Sequence, residues 1–97
     1  MRESKVESAI VKWAGKNDIR TSKRAGVNDR AFPDREFRRR GRVVYMELKA
    51  PGKVPTALQM KRLKDLRADG FTAVWFDNAH EAIEYLRSEM LEDDFEI

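Results

Sequence analysis

The feature that most constrains the fold of this chain is a pair of predicted strands joined by a capped helix. Residues 42–49 alternate between the two faces of an extended chain, and "FTAVWF" at 71–76 is almost wholly apolar, which is typical of a central strand buried on both faces. Between them, Thr56 and Gln59 have the spacing of a capping box, and Gly70 is placed to end the helix. A helix that joins two such strands predicts a crossover connection and a sheet of mixed strand directions.

The amino-terminal half adds one helix and two weaker strands. Residues 3–16 carry apolar side chains at spacings of three and four, which indicates an amphipathic helix. Shorter segments at 19–22 and 27–33 are predicted as strands. We interpret "DREFRRRG" at 34–41 as a charged hairpin turn that leads into the strand at 42–49.

A last helix follows the apolar strand, since Asn78 and Glu81 have the spacing of a helix cap. The element order is then αβββαβα, which predicts an α/β sandwich with a mixed β-sheet flanked by helices. We expect residues 1–91 to form a single domain, followed by a loose acidic tail at 92–97.

The residue types that are missing exclude several classes of site. The 97 residues include no cysteine and only one histidine, His80, so disulfides, thiolate metal sites and multi-histidine zinc cages are excluded. Any metal must be held by oxygen ligands. No apolar run approaches the roughly 20 residues that span a bilayer, and the amino end lacks the apolar region of a signal peptide. We therefore predict a cytoplasmic protein.

Charge is divided unevenly along the chain. From residue 20 to 42 there are nine Lys or Arg against three acids, whereas from 77 to 97 eight acids face only Arg87. A basic surface of this kind is typical of a protein that binds a polyanion such as nucleic acid, although a solvated basic loop would have the same composition. The predicted DNA contacts are Lys23, Arg24, Arg30, Arg38, Arg39, Arg40 and Lys53.

Glu47 and Lys49 are two opposite charges on one face of the strand at 42–49. They form either an ion pair at a sheet edge or part of a site where a metal meets a scissile phosphate. Across an antiparallel hairpin, Asp29 or Asp34 could lie opposite Glu47, about a wider or a tighter turn. Two converging carboxylates repel each other unless a cation lies between them, and hard oxygen ligands suit Mg²⁺ or Mn²⁺. Lys49 would then orient the attacking water.

Two further polar residues are candidates for the same site. Glu7 projects from the edge of the apolar face of the first helix, where it is either a solvated glutamate or a third acid. Gln59 is explained by the helix cap, but an amide that faces the sheet beside Glu47 and Lys49 could also bond a phosphate or a metal-bound water. The two roles of Gln59 are compatible.

The order of these residues resembles the VRR-NUC family, the virus-type replication and repair nucleases within the PD-(D/E)XK superfamily. The resemblance covers about residues 1 to 87, and its most specific part is "ELKAPGK" at 47–53 followed by Pro55, Thr56 and Gln59. It implies the restriction-endonuclease-like fold and the hydrolysis of DNA phosphodiesters with Mg²⁺ or Mn²⁺.

The resemblance also implies roles for individual residues. The family's Gly-x-Pro-Asp-Arg pattern is similar to residues 26–30, with Asn28 in place of proline, so the metal-binding aspartate is carried over to Asp29. Asp34 is the alternative, because the literal Pro-Asp pair at 33–34 lacks the preceding glycine. The other implied site residues are Glu7, Glu47, Lys49 and Gln59, with the Leu48 carbonyl as a further metal ligand.

Short stand-alone members look like phage-encoded homodimers, similar in architecture to Holliday-junction resolvases. The resemblance therefore implies an endonuclease that selects branched DNA as a homodimer, since cutting two strands needs two active sites. Two alternatives stay open. One is a nuclease that acts on flaps, single strands or RNA, or without selectivity; the other is a non-catalytic, basic nucleic-acid-binding dimer.

Overall fold

The structure is a computed structural model that describes residues 2–23 and 28–92. It contains the predicted order αβββαβα, which confirms the α/β class with a mixed sheet. The elements are α1 (Glu3–Lys16), β1 (Arg20–Lys23), β2 (Arg35–Arg39), β3 (Arg42–Leu48), α2 (Ala57–Ala68), β4 (Thr72–Phe76) and α3 (Ala79–Met90). Among the described residues, no helix combines the length and the apolar character needed to cross a membrane. The predicted tail lies outside the described residues from position 93 onwards.

The four strands form one sheet in the order β1-β2-β3-β4. The first three pair antiparallel, and β3 and β4 pair parallel across the α2 crossover. Side chains of β3 at even positions, such as Val44 and Met46, join the core formed with α1 and α3. Helix α2 covers the other face, where Gln59 reaches Glu47. Glu47 therefore lies between the sheet and α2.

Both caps predicted for the later helices are present. At the start of α2, Thr56 accepts from the Gln59 N–H while the Gln59 side chain accepts from the Thr56 N–H. At the start of α3, the Asn78 side chain accepts from the Glu81 N–H. Gly70 has a φ of 92° just after α2, a conformation that a glycine adopts without steric cost. These local signals fix where the crossover begins and ends.

The predicted second strand is wrong. The segment at 28–33 is a loop, and most of the segment interpreted as a turn is β2, with Phe37 buried and charged residues on either side of it. The turn itself has only two residues, Arg40 and Gly41, with φ of 49° and 82°. Positive φ at both positions matches the right-handed twist of a hairpin, so a tight turn replaces the long one. The strand pairing is therefore centred between residues 40 and 41.

The placement of β4 also differs from the prediction. Its apolar sequence indicated a central strand, but β4 is at the edge of the sheet and pairs only with β3. Helices pack on both of its faces, α2 on one and α3 on the other, so both faces need apolar side chains. Only Ala73 is fully buried, and the other four residues of the strand are half-buried. An edge strand that is covered by helices on both faces therefore has the same apolar sequence pattern as a central strand.

Candidate functional site

Glu47 is a buried carboxylate at the carboxyl end of β3, only 2% exposed. Its Oε2 atom accepts a hydrogen bond from Gln59 Nε2 at 3.1 Å and lies 3.5 Å from Lys49 Nζ. Its Oε1 atom is buried and has no hydrogen-bond partner among the described residues. A buried carboxylate oxygen without a donor is costly, which is typical of a site that holds a ligand or an ion.

Asp34 is the aspartate that the hairpin brings to Glu47. Arg35, the first residue of β2, pairs with Met46 of β3. Asp34, just before Arg35, and Glu47, just after Met46, are therefore neighbours across the hairpin. Asp34 Oδ2 accepts from the Leu48 N–H at 2.9 Å, and the charge of Asp34 acts on Glu47. The carboxylates thus meet where β2 begins and β3 ends.

Asp29, the aspartate carried over from the family pattern, lies elsewhere. Its Oδ2 accepts from Arg62 Nε of α2 at 2.6 Å, and its Oδ1 accepts from the Ala31 N–H. It therefore ties the loop at 28–33 to α2. The carry-over to Asp29 required a longer hairpin than the two-residue turn allows, so the alternative, Asp34, replaces it as the partner of Glu47.

The site raises the pKa of Glu47 to about 7. Burial is the largest cause, repulsion by Asp34 adds to it, and the Lys49 ammonium opposes both. Two carboxylates that share a buried site cannot both ionise freely, so near neutral pH a proton or another cation is needed between them. The buried Glu47 oxygen and this repulsion together fit a bound divalent ion.

Glu3, in the first turn of α1, is an acid that the sequence analysis missed. Its pKa is raised by partial burial and then by the charge of Asp34, while Lys49 lowers it. Glu3 is therefore close enough to feel the charges of the candidate site. The signal was available, because Glu3 is four residues before Glu7 and so lies on the same side of the helix.

Glu7 itself is engaged by an arginine. Arg35 Nε donates to Glu7 Oε2 at 2.5 Å, and Arg35 Nη1 donates to the Thr21 hydroxyl at 3.2 Å. The carboxylate that was a candidate third acid thus neutralises the residue next to Asp34. It contributes to the charge balance at the border of the site.

No group of three His, Asp or Glu side chains that could hold an ion is present within residues 2–23 and 28–92. The converging donors are instead two carboxylates, Asp34 and Glu47, and the N–H of Leu48, the residue after Glu47, donates to Asp34. Mg²⁺ is commonly held by one or two carboxylates and keeps several waters. This oxygen donor set, without histidine or thiolate, fits Mg²⁺ or Mn²⁺.

The arginines of the hairpin do not all face solvent. Arg39 is buried: its Nη1 donates to the Met90 carbonyl at 2.8 Å and its Nε lies 3.9 Å from Asp18. It therefore joins β2 to the end of α3, and the prediction that it grips DNA is wrong for this conformation. Arg38 donates to Glu36 and to the Ser22 hydroxyl, with its side chain 38% exposed.

The other predicted DNA contacts are on the surface wherever they are described. Lys23, Arg30, Arg40 and Lys53 are exposed, and Arg24 lies outside the described residues. These residues lie on separate loops and strand ends rather than on one element. The loop that carries Lys53 is held by a hydrogen bond from the Gly52 N–H to Asp77.

Solved structures of VRR_NUC domains are similar to this chain. One, described as a "VRR_NUC domain protein", is 21% identical with a TM-score of 0.72, and the match covers 90% of this chain and 86% of that one. Another, described as a "VRR_NUC domain", is 16% identical with a TM-score of 0.76 and coverage of 89% and 94%. No family model matches the sequence, and neither does any curated protein.

Proposed function

Because the chain has the VRR-NUC fold, we propose that it is a metal-dependent nuclease of the PD-(D/E)XK type that hydrolyses DNA phosphodiester bonds. The observation that carries the proposal is the convergence of Asp34, Glu47 and Lys49 where β2 begins and β3 ends. The fold alone supports many chemistries, and these side chains indicate which one this chain performs.

Asp34, Glu47 and the Leu48 carbonyl would hold the divalent ion, with Glu3 as a nearby acid. Bound there, Mg²⁺ or Mn²⁺ supplies charge neutralisation at the scissile phosphate and acidifies the attacking water. Burial and repulsion by Asp34 raise the pKa of Glu47, which means that the ionised site favours a bound proton. The same two causes favour a bound metal cation.

Gln59 and Lys49 would position the reacting groups. Gln59 holds Glu47 Oε2 while its own oxygen caps α2, so the start of the helix and the carboxylate are fixed by one side chain. Lys49, with its side chain 17% exposed, keeps its ammonium at the mouth of the site. An ammonium there can hold the attacking water or a phosphate oxygen, and this makes it the residue whose loss should remove activity.

The proposed substrate is branched DNA, cut by a homodimer. The chain contributes one such acidic site, and cleavage of both strands at a four-way junction needs two sites related by a twofold axis. Exposed cations at several places on the surface, Lys23, Arg30, Arg40 and Lys53 among them, support phosphate contacts that depend on salt and little on sequence. If the protein is phage-encoded, its place of action is the cytoplasm of the host cell.

The test is cleavage of a labelled four-way junction and its matching linear duplex, with Mg²⁺, Mn²⁺ or EDTA, by the natural protein and by Lys49→Ala. We expect nicking of the junction that needs the metal and is lost in the variant. Equal cutting of both substrates would retain the nuclease and remove the preference for branches. Binding without cutting at any metal concentration would contradict the nuclease and favour a non-catalytic binding protein.

A further inference from the structure

An open groove of about 480 Å³ lies beside the candidate active site, between α1 and the first two strands. It is lined by Ser4, Glu7, Ser8, Val11, Lys12, Lys23 and Arg35. Arg35 directly follows Asp34 in the chain, and Glu7 is one turn from Glu3 on α1. The groove therefore begins where the acidic site ends, and of its lining residues only Lys23 has a proposed role in the nuclease described above.

The groove has an excess of positive charge. Its single acid, Glu7, is paired with Arg35, and both side chains are largely buried, 25% and 12% exposed. Lys12 and Lys23 are exposed, and neither forms an ion pair with any other described residue. Two ammonium groups from different elements, one on α1 and one on β1, thus line a common space, and the one acid among its described lining residues, Glu7, is already paired with Arg35, which favours an anionic ligand.

The remaining lining groups suit a sugar–phosphate chain. Ser4 and Ser8 are one helical turn apart, so their hydroxyls follow each other along the groove and can donate to successive oxygens. Val11 gives an apolar patch against which a deoxyribose can pack. The volume lies in the range of sites for small molecules, about 300–1,000 Å³.

We propose that this groove binds the backbone of one DNA strand, over one or two nucleotides, beside the phosphate that is cut. The proposal rests on the proposed nuclease function and adds the path of the strand: along the groove between α1 and the first two strands, with Lys12 and Lys23 on its two sides. Arg35, held by Glu7 and Thr21, joins this path to Asp34. Of the lining residues, only Lys23 was expected from the sequence to contact DNA.

The experiment compares two double variants that remove the same charge. Lys12→Ala with Lys23→Ala empties the groove of its free cations, whereas Lys5→Ala with Lys16→Ala removes two exposed lysines of α1 that do not line it. Binding of a labelled single strand and of a four-way junction is measured in EDTA over a range of salt. We expect the groove variant to bind about tenfold more weakly, with a salt slope smaller by about 1.4 for two lost contacts to a single strand. The control variant should match the natural protein.

A second pair of variants adds charge without removing a lysine. Ser8→Glu introduces an anion into the groove, and Ala9→Glu introduces the same anion at the neighbouring exposed position outside it. We expect weaker binding only for Ser8→Glu, with both variants folded in thermal unfolding. This pair tests the groove even if the double lysine variant loses stability.

The outcomes separate the two proposals. If the natural protein cuts DNA with metal but the groove and control variants bind equally, the groove proposal is overturned and the nuclease is retained. If the natural protein neither binds nor cuts DNA, the proposed function is overturned and the groove proposal falls with it. Weaker binding in both lysine variants to the same extent would show a general effect of charge and would also contradict a local groove.

Discussion

Both ends of the β2–β3 hairpin are rich in charge, but the charged side chains repel each other at one end and are paired at the other. At the open end, Asp34 and Glu47 converge in a site where Glu47 is buried and one of its oxygens has no hydrogen-bond donor among the described residues. At the turn end, Arg39 is buried and bonded to the carbonyl that ends α3, and Arg38 pairs with Glu36. The charges at the turn end have partners and are costly to break apart, whereas the carboxylates at the open end repel each other and indicate a site for a ligand.

The largest expected effect separates the two candidate aspartates, Asp34 at the open end of the hairpin and Asp29 in the loop at 28–33. Asp34→Asn should lower the rate of metal-dependent DNA cleavage by about 1,000-fold, because the divalent ion supplies several kcal/mol of stabilisation to the transition state. Asp29→Asn, which removes a charge bonded to Arg62, should retain activity within a few fold. The measurement is single-turnover cleavage of a labelled junction. Similar losses in both variants would restore Asp29 to the site.

At the turn end, Arg39→Ala should destabilise the protein. It leaves the Met90 carbonyl without its donor and removes the ion pair with Asp18, and a lost bond to a buried charged group costs about 1.5–3 kcal/mol. Arg40→Ala, at the neighbouring exposed turn position, should change the free energy of unfolding by under about 0.5 kcal/mol. Urea unfolding of both variants measures the difference. Weaker DNA binding by Arg39→Ala at unchanged stability would contradict the structural role.

The pH dependence of stability tests the repulsion at the open end. Because the pKa of Glu47 is raised from its ordinary value of 4.5 to about 7, the folded state binds more protons than the unfolded state between these values. Stability without divalent metal should therefore fall as pH rises from about 4.5 to about 7 and then level off. The fall should be on the order of 1 to 3 kcal/mol.

Glu47→Gln provides the control for that pH dependence. With no carboxylate to ionise, the variant should lose this part of the pH dependence and should be the more stable protein at pH 8 in EDTA. Mg²⁺ should raise the melting temperature of the natural protein but not that of Glu47→Gln. Thermal unfolding at pH 5 and pH 8, with and without Mg²⁺, gives four melting temperatures for each of the two proteins. A natural protein that is equally stable at both pH values in EDTA would contradict the shifted pKa.

The smallest expected effect compares the two acids of α1. Glu3→Gln should lower the rate of metal-dependent cleavage by about tenfold, because the charges of Glu3 and Asp34 interact. This is the low end of the range for mutations of residues that surround metal ligands. Glu7→Gln keeps an oxygen that can accept from Arg35 and should change activity less. The metal concentration at half-maximal cleavage distinguishes them. The reverse order would restore Glu7 as the third acid.

Much of the site could be predicted from particular residues. Alternation along 42–49 placed Glu47 and Lys49 on one face, and the capping box placed Gln59 at the start of the helix that covers that face. Gln59 caps α2 and also donates to Glu47, so both contacts weighed for it are present, while its role in a site stays a prediction. Glu3 was not identified, because an acid in the first turn of a helix is already explained by the helix dipole.

The sequence by itself determined the order of the elements, the ends of the helices and the residue types of the site, because caps, periodicity and glycine positions act within a few residues. Only the tertiary structure decided which aspartate meets Glu47, because that pairing depends on the register of the hairpin. Interactions between the two strands decide the register, and with it whether the turn has two residues or more. Contacts distant in sequence likewise decided that Arg39 is buried against α3 and that β4 is at the edge of the sheet.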